Sequence, residues 1–382
     1  MKKYLFIFAI VSSLLCSDQV IEFVSLQNIM KKRHDIHYYK CHDALNFSYK
    51  RLSITPFPVS YQPIEGKFAE TFVVTIPHAT ICSELGWINV DGVFIKDFLL
   101  PFTPKAIQKK LYIEREINKK KIKKVSGRVA VLAGSLDGIF GHWFNVTFGR
   151  FLILQHSGVS YDWIYAPKYA DYMKQTYKLY GISLDKIIDS REYQYIQADE
   201  LVVPSITMQR IPCATDPVYD AYATTCYWPY WITQNIRETF LPVIQNMLPD
   251  DRFAKKIFIS RKDAFVRKML NEDAVFALFE KRGFKRYCMS DFSLLEQAAL
   301  FYNADYIVAA HGSALANLLF CKPKTCVVEI FQYLYDASLC NLAQDMKCRY
   351  YCIKTTFKKA DCMQHSAVPL AIIENFLNEE KF

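Results

Sequence analysis

Short apolar runs alternate with longer segments of helical periodicity over residues 255–331. The short runs are rich in Ile, Val, Phe and Tyr, which predicts buried strands at 255–260, 284–289, 306–310 and 325–331. Helices are predicted between them, because Asn271 precedes an acidic first turn, Gly283 follows a basic last turn, and Ser293 with Glu296 fits a capping box. Such alternation predicts a parallel sheet with helices on both faces.

The run at 306–310 ends abruptly at His311-Gly312-Ser313, and a second apolar run at 314–320 predicts a helix. A strand that turns directly into a helix presents free backbone N–H groups, which favour a phosphate together with the helix dipole. A histidine there can add a hydrogen bond or a charge near neutral pH. Ligands of parallel α/β sheets bind beyond the carboxyl ends of the strands, where the arginine-containing loop 261–270 is also predicted to lie.

Together these segments resemble the carboxyl-terminal half of glycosyltransferase family 61. The resemblance rests on SR…R…NED from Ser260, LEQ from Leu295, the AD…HG…N segment from Ala304, and VVEI from Val327. It is continuous over about 255–331 and thinner upstream. It implies an α/β fold with two Rossmann-like domains facing a cleft, the GT-B glycosyltransferase architecture.

The resemblance also implies a donor site in the carboxyl-terminal domain for a nucleotide diphosphate sugar, expected to carry UDP. Its arginines would neutralise the diphosphate, the turn after the 306–310 strand would contact phosphate, and a strand-end glutamate would bind the ribose. Asn271 and Asn317 are expected to support the loops. The expected donor-binding residues are Arg261, Arg267, His311, Gly312, Ser313 and Glu329. Without the family, a loop arginine is more often a surface charge, and Glu329 more often an ion-paired structural residue.

A second motif lies upstream, where an apolar strand at 129–133 leads through a loop into a helix that begins near His142. Family 61 has a similar element, which implies that His142 removes the proton of the acceptor hydroxyl during an inverting displacement. Arg150 falls where the family has an arginine and is expected to support the site.

This motif departs from the family at two positions. Val146 occupies the usual carboxylate position, and Gly149 stands where proline is common. Asp137 is a candidate catalytic residue that could replace that carboxylate only in part. The alternative to an active transferase is therefore a catalytically degenerate family member that binds nucleotide or sugar, or acts as a scaffold.

The rest of the chain completes the predicted organisation. Apolar alternation within 68–100, with a hairpin turn at Asp91-Gly92, predicts a β-rich lead-in, and strands and helices over 163–204 predict a second Rossmann-like domain. The predicted divisions are a signal or membrane-targeting segment 1–16, an acceptor-side domain 17–245 and a nucleotide-sugar-binding domain 246–382. A helix is predicted at 231–248, interrupted at Pro242.

Two unusual segments have alternative interpretations. The lysine-rich stretch 105–124 is typical of a solvated helix or loop, and otherwise of a membrane-surface or acidic-acceptor patch. The aromatic stretch 213–231 could pack the domain interface or stack sugars in a cleft.

The net charge and the motifs that the sequence lacks argue against several functional classes of protein. The formal charge of +9 fits an anionic donor or a membrane surface, and no zinc-finger or RNA-binding signature indicates a nucleic-acid partner. No G-x-G-x-x-G follows a strand and no P-loop motif occurs, which argues against dinucleotide oxidoreductases and P-loop kinases. With no Asp-x-Asp motif and no zinc spacing among the twelve cysteines, we expect no metal and no cofactor beyond the donor co-substrate.

Residues 1–16 indicate where in the cell the protein is expected to be located. Lys2 and Lys3 precede an apolar stretch, 4–15, that is too short for a comfortable membrane span. It is typical of a signal segment; lipidation at Cys16 and an uncleaved buried element are the alternatives. The expected location is the secretory lumen, or a membrane-associated or exported state in a bacterium, and the expected partners are a nucleotide sugar and a glycan or protein hydroxyl. If the chain is exported, the cysteines near its carboxyl terminus could form disulfides. The alternative is that they are buried free thiols.

Overall fold

The computed structural model describes residues 22–50, 53–55, 59–60, 64–99, 122–134, 136–212, 224–247, 252–331, 338–355 and 365–379. Within them the chain is a mixed α/β structure built on two large sheets, which confirms the predicted α/β class. The segment 1–16, most of the lysine-rich stretch and most of the aromatic stretch lie outside the described residues.

The first sheet has a parallel centre and an antiparallel flank. Its parallel strands lie in the order Tyr195–Pro204, Lys123–Val131, Trp163–Ala166 and Ile187–Asp189. The lead-in supplies the flank with the strands His37–His42, Thr71–Pro77, Thr80–Cys82, Trp87–Val90 and Val93–Ile95. At its edge, Phe23–Val24 pairs in parallel with Val93–Ile95. The predicted hairpin turn is confirmed, because Asp91 and Gly92 both have positive φ angles. Lys123 and Lys124 belong to a strand, not to the helix or loop predicted for them.

The second sheet contains the predicted strands of the carboxyl-terminal half. It runs in the order Lys285–Cys288, Lys256–Ser260, Tyr306–Ala310, Cys326–Phe331 and Arg349–Lys354, with all neighbours parallel. Ser53–Thr55 pairs with Arg349–Lys354 and Val59–Ser60 follows, so a segment from the first sixty residues extends this sheet. Two antiparallel ribbons complete the strands: Leu45–Tyr49 with Ile64–Phe68, and Gln209–Pro212 with Thr224–Tyr227.

The helices cover both sheets. The α-helices outside the 140–157 segment are Leu26–Met30, Asp171–Leu179, Tyr230–Met247, Glu272–Glu280, Leu294–Asn303, Ser338–Asp345 and Leu370–Glu379. Among the described residues, four short helices are of the 3-10 type: Lys96–Phe98, Leu184–Lys186, Met289–Asp291 and Ser313–Phe320. The capping box of Ser293 and Glu296 is confirmed. The interruption predicted at Pro242 is wrong, since the Tyr230–Met247 helix continues through it. No helix in the described part of the chain is long and apolar enough to cross a bilayer.

One continuous apolar core joins the two sheets. At its centre the rings of Phe144, Phe240 and Phe320 meet, with centroids 5.0–6.1 Å apart. Phe144 comes from the 140–157 helical segment and Phe320 from the 3-10 helix that follows His311-Gly312-Ser313. Because these rings are buried, the same packing that forms the core fixes how the two predicted motifs face each other.

Candidate active site

The upstream motif lies on one helical segment, 140–157, whose hydrogen-bonding pattern changes twice. Phe140–His142 is α-helical, Trp143–Phe148 is π-helical, and Gly149–Ser157 is α-helical again. π segments are rare and are frequent at functional sites, because the extra residue in the turn redirects the side chains around it. Here all six π-helical residues are buried, and His142 immediately precedes them.

The two departures from the family motif are both core positions. A Cβ on Gly149 would lie 3.0 Å from two side-chain atoms of Thr207, so Gly149 permits a close contact that a proline ring would obstruct. Val146 is 2% exposed and packs toward Gly134, whose Cβ would lie 3.2 Å from a Val146 methyl group. The position of the usual carboxylate is therefore filled here by apolar packing.

The two motifs meet where Gly141 packs against Ser313. A Cβ on Gly141 would lie 3.3–3.4 Å from Ser313 backbone and side-chain atoms. His142 follows Gly141 directly, and its backbone N–H donates to the Ile139 carbonyl at 2.8 Å. The fold thus places the backbone of His142 beside the His311-Gly312-Ser313 turn, although about 170 residues separate them in sequence.

A cleft of about 360 Å³ opens beside this contact. It receives the carboxyl ends of three parallel strands, Lys256–Ser260, Lys285–Cys288 and Tyr306–Ala310, as expected for ligand sites in such sheets. Its lining consists of Phe140 and Tyr172 from the first half, and Ser260, Arg261, Asp263, Ala264, Met289, Ser290, Gln297, Ser313 and Ala314 from the second.

Arg261 is the principal charge in this lining. Its guanidinium donates to two backbone carbonyls, those of Arg267 at 3.1 Å and Val266 at 2.8 Å. The remaining terminal nitrogen, Nη1, lies against Gly312, where any Cβ would overlap it. Among the described residues no carboxylate forms an ion pair with Arg261. Burial and the neighbouring Arg267 charge lower the Arg261 pKa to about 10, so an anion in the cleft would relieve an unfavourable environment.

The loop that carries both arginines is held by buried contacts. Glu272 is 4% exposed and accepts hydrogen bonds from the Ser260 hydroxyl at 2.5 Å and the Arg261 backbone N–H at 2.8 Å. Arg267 has a φ of +58°, a left-handed conformation that turns its carbonyl toward the Arg261 side chain. Asn271 stands at the N-cap position of its helix, but its side chain makes no capping hydrogen bond. Instead, its side-chain amide donates to the Val368 carbonyl and accepts from the Val368 N–H, both at 2.8 Å. These bonds join Asn271 to the carboxyl-terminal segment, and its supporting role in the site stays a prediction.

His311 is backed by Glu329. The His311 Nδ1 lies 2.6 Å from a Glu329 carboxylate oxygen, and the imidazole stacks on Phe331 at 4.8 Å. Tyr350 donates to the other Glu329 oxygen, and the carboxylate is fully buried. A carboxylate at Nδ1 fixes the tautomer and orientation of the ring, which leaves Nε2 to face other groups. The ribose contact predicted for Glu329 therefore has no exposed carboxylate oxygen in the structure, whereas its contact with His311 is direct.

Asp137 and Arg150 lie at the carboxyl ends of the first sheet. Asp137 accepts from the Gly134 N–H at 3.1 Å and lines a separate cavity of about 170 Å³ with Glu84 and Arg191. Burial raises the Asp137 pKa to about 7. Arg150 is 2% exposed and donates to the carbonyls of residues 133 and 204 at 2.7–3.2 Å. Its role in the structure is to join two strand ends, and burial lowers its pKa to about 10.

Sequence reasoning missed two cleft residues. Tyr172 lies on the Asp171–Leu179 helix, packs edge-on against Phe140 at 5.1 Å, and has a buried hydroxyl with no hydrogen-bond partner among the described residues. Nothing in its local sequence distinguishes it from other helical tyrosines. Gln297 was predicted as part of a helix and of the LEQ motif, but with no role in the site. Asn317 donates to its side-chain oxygen at 3.0 Å, so Asn317 contacts a residue of the cleft lining.

No cluster of three or more potential metal ligands occurs in the described ranges. Arg261 is the cationic side chain among the described residues that line the cleft, and Ser313 and Ala314, at the start of the Ser313–Phe320 helix, line the same region. An eight-residue 3-10 helix has a weaker dipole than the predicted α-helix would have, so Arg261 supplies most of the local positive charge.

The α/β architecture and the arginine-lined cleft are compatible with an α/β glycosyltransferase. Residues 140–328 match the model of the family described as Glycosyltransferase 61, a region that begins at Phe140 and includes both motifs and the cleft. The chain belongs to glycosyltransferase family 61, which confirms the predicted resemblance. No curated protein matched the chain in a sequence search.

Proposed function

We propose that this protein is an inverting, metal-independent glycosyltransferase that uses a UDP-sugar and transfers its sugar to a hydroxyl of a glycan or protein. Family membership supports glycosyl transfer as the reaction class. The observation that carries the donor assignment is the Arg261 guanidinium, which is oriented by backbone carbonyls and has no carboxylate partner among the described residues. A diphosphate would complete this arrangement with charge-assisted hydrogen bonds.

In this proposal the leaving group is stabilised by fixed charges and dipoles. The negative charge on the diphosphate grows as the bond to the sugar breaks, and Arg261, Arg267 and the Ser313 N–H are the groups placed to stabilise it. In the proposal, Glu329 orients the His311 imidazole through Nδ1. The other ring nitrogen, Nε2, then contacts a phosphate or the sugar. Tyr172 contributes its side chain to the lining of the same cleft, on the side of the first sheet.

The acceptor would react from the side of the first sheet. His142 is the proposed base, because it lies one residue beyond the Gly141–Ser313 contact and belongs to the half opposite the donor loop. The proton of the acceptor hydroxyl passes to His142 as the hydroxyl oxygen attacks the anomeric carbon and UDP leaves. Two Rossmann-like domains in a GT-B arrangement are part of the proposal, and the two sheets with a cleft between their contacting helices support it.

The alternative is a family member that binds nucleotide or sugar without transfer. The specific observation in its favour is Val146, which occupies the usual carboxylate position and is buried in apolar packing. Measuring donor hydrolysis and transfer to a panel of acceptors separates the two, because only the alternative predicts nucleotide binding without either activity.

The donor site is tested by calorimetry and thermal shift of the full chain with UDP, GDP, CMP and UDP-sugars, with and without divalent metal. We expect saturable, metal-independent stabilisation by UDP, since a ligand that binds only the folded state raises its stability. Arg261→Ala should weaken UDP binding by roughly tenfold or more, because it removes one or two charge-assisted hydrogen bonds to the diphosphate.

The matched control is Arg349→Ala. Arg349 is an exposed arginine at the opposite, amino-terminal end of a strand of the same sheet. Its loss changes the net charge equally and should leave UDP binding unchanged. A folded protein that responds to no nucleotide, or an equal loss in both variants, would overturn the donor assignment.

A further inference from the structure

A second concave site lies at the far end of the 140–157 segment from the cleft. Its hollow of about 410 Å³ is within the size range of small-ligand sites. The lining side chains used below are His42, His156, Gln155, Trp231, Gln234, Asn235 and Glu238. We call it the His42–Trp231 pocket. From Gly141, at the cleft, to Gln155 is a helical path of about 20 Å, so the two sites are distinct.

Three aromatic rings form one wall of this pocket. The His42 imidazole lies between the Trp231 indole, at 4.3 Å and 18°, and the His156 imidazole, at 4.2 Å. The His42 Nδ1 lies 2.7 Å from the hydroxyl of Thr71, which holds the ring in place. Burial and the adjacent His156 lower the His42 pKa, which favours the uncharged form of the His42 imidazole at neutral pH.

Amides and one carboxylate lie beside Trp231 on the same face of its helix. Gln234 and Asn235 are exposed on the first turns of the Tyr230–Met247 helix, with Glu238 one turn further on. The Gln234 amide donates to a Glu238 oxygen at 2.9 Å, and the Asn235 oxygen accepts from Tyr180 at 3.2 Å. These bonds leave the Gln234 oxygen, the second Glu238 oxygen and the Asn235 NH2 group for a ligand. The side-chain amide of Gln155 makes no hydrogen bond to a described residue.

The composition of the lining selects a ligand class. It contains no lysine or arginine, so it lacks the charge that phosphates and nucleotides need. Its apolar part is small, which disfavours a lipid tail. Amides and a carboxylate present donors and acceptors side by side, as hydroxyl groups require, and an aromatic face has a negative π cloud that attracts the C–H face of a sugar ring.

We propose that the His42–Trp231 pocket is a second carbohydrate-binding site, which holds a neutral glycan through the aromatic stack, whose outer rings are Trp231 and His156, and through the Gln155, Gln234 and Asn235 amides. The inference goes beyond the proposed transferase function and does not depend on it. If the chain transfers sugars, the pocket would hold a remote part of the acceptor or product; if it does not, the pocket makes the chain a glycan-binding protein.

The test is calorimetry of the full chain with neutral tetra- to hexasaccharides of the cello-, xylo-, malto- and chito-series, with saturating UDP present to occupy the donor site. We expect at least one series to bind. Trp231→Ala and Gln234→Ala should each weaken that binding at least fivefold. Tyr230→Ala is the matched control, because Tyr230 is an exposed aromatic residue next to Trp231 that does not line the pocket.

The outcomes separate this site from the donor site. An unchanged UDP response in the Trp231 and Gln234 variants shows that they fold, and Gln234 is exposed, so its loss leaves the core intact. Failure of all series to bind the wild type, binding that persists in both variants, or loss of binding when UDP is added would overturn the proposal. A failed UDP response with intact oligosaccharide binding would refute the donor assignment alone.

Discussion

Asp137→Asn should make the protein more stable, and by an amount that depends on pH. The Asp137 side chain is partly buried at the end of the first sheet, and this burial raises its pKa from the usual 3.8 to about 7. Between these values the folded state keeps a proton that the unfolded state has lost. Stability therefore falls as pH rises through this window, by about 1.4 kcal/mol per unit for this group. Asparagine does not ionise, and its side-chain oxygen can still accept from the Gly134 N–H.

The difference in unfolding free energy between variant and wild type follows from these two values. It should grow from roughly 1.5 kcal/mol at pH 5 to about 4 kcal/mol at pH 8, where the carboxyl is ionised in both the folded and the unfolded state. Urea denaturation at several pH values measures this difference directly. Comparing the two proteins cancels other titrating groups, such as Asp345, whose pKa burial also raises to about 7.

Asp185→Asn serves as the control, because Asp185 is exposed in the same half of the chain. A stability difference for Asp137→Asn that does not change with pH, or a variant less stable than wild type at pH 8, would refute the reasoning. Activity adds a second readout. If Asp137 assists proton transfer, the variant is more stable and slower; if it is only structural, the rate is unchanged.

Three further predictions concern the second half. Gly312→Ala should cost little stability, because the Arg261 group that a Cβ would overlap is the end of a flexible side chain. Since Arg261 must then move, calorimetry should show UDP binding weakened by roughly tenfold or more. Unaltered UDP binding would contradict this prediction. Glu329→Gln should lower the unfolding free energy, measured by urea titration, by roughly 1.5–3 kcal/mol, because His311 loses a buried charged partner. A variant as stable as the wild type would argue against the contact between His311 and Glu329. Ser293→Ala should cost about 1 kcal/mol through loss of the capping box, with UDP affinity unchanged; a change in affinity would mean that the helix start contributes to the cleft.

Local patterns predicted the second sheet well. The strands of residues 255–331 each combine a short apolar run with a polar boundary, and the capping box depends on two residues three positions apart. The helix type after Gly312 was not predictable, because the same apolar run suits a 3-10 and an α-helix. The π-helical Trp143–Phe148 also has no sequence signal, since it depends on the packing of its six buried side chains.

The candidate site was only partly predictable. Arg261 and Ser313 were expected at the cleft and line it. The pairing of His311 with Glu329 depends on neighbouring strands and their register, which residue type alone does not specify. Glu272 was expected only to favour a helix start, whereas it holds the donor loop from inside. Tyr172 reaches the cleft from a helix of the other half, so only the three-dimensional contact identifies it.

The aromatic contact of Phe144, Phe240 and Phe320 has a consequence for how substrates enter. These rings are buried in a core shared by both sheets, so a rigid-body swing of one half away from the other would expose them to water. Access is therefore expected through local motion at the rim. The 261–270 loop is suited to it, because it presents Phe265 at 79% exposure and Leu270 at 66%, side chains that gain by folding over a bound molecule. Turnover would then be set by the opening of one loop, and heating should unfold both sheets in a single step.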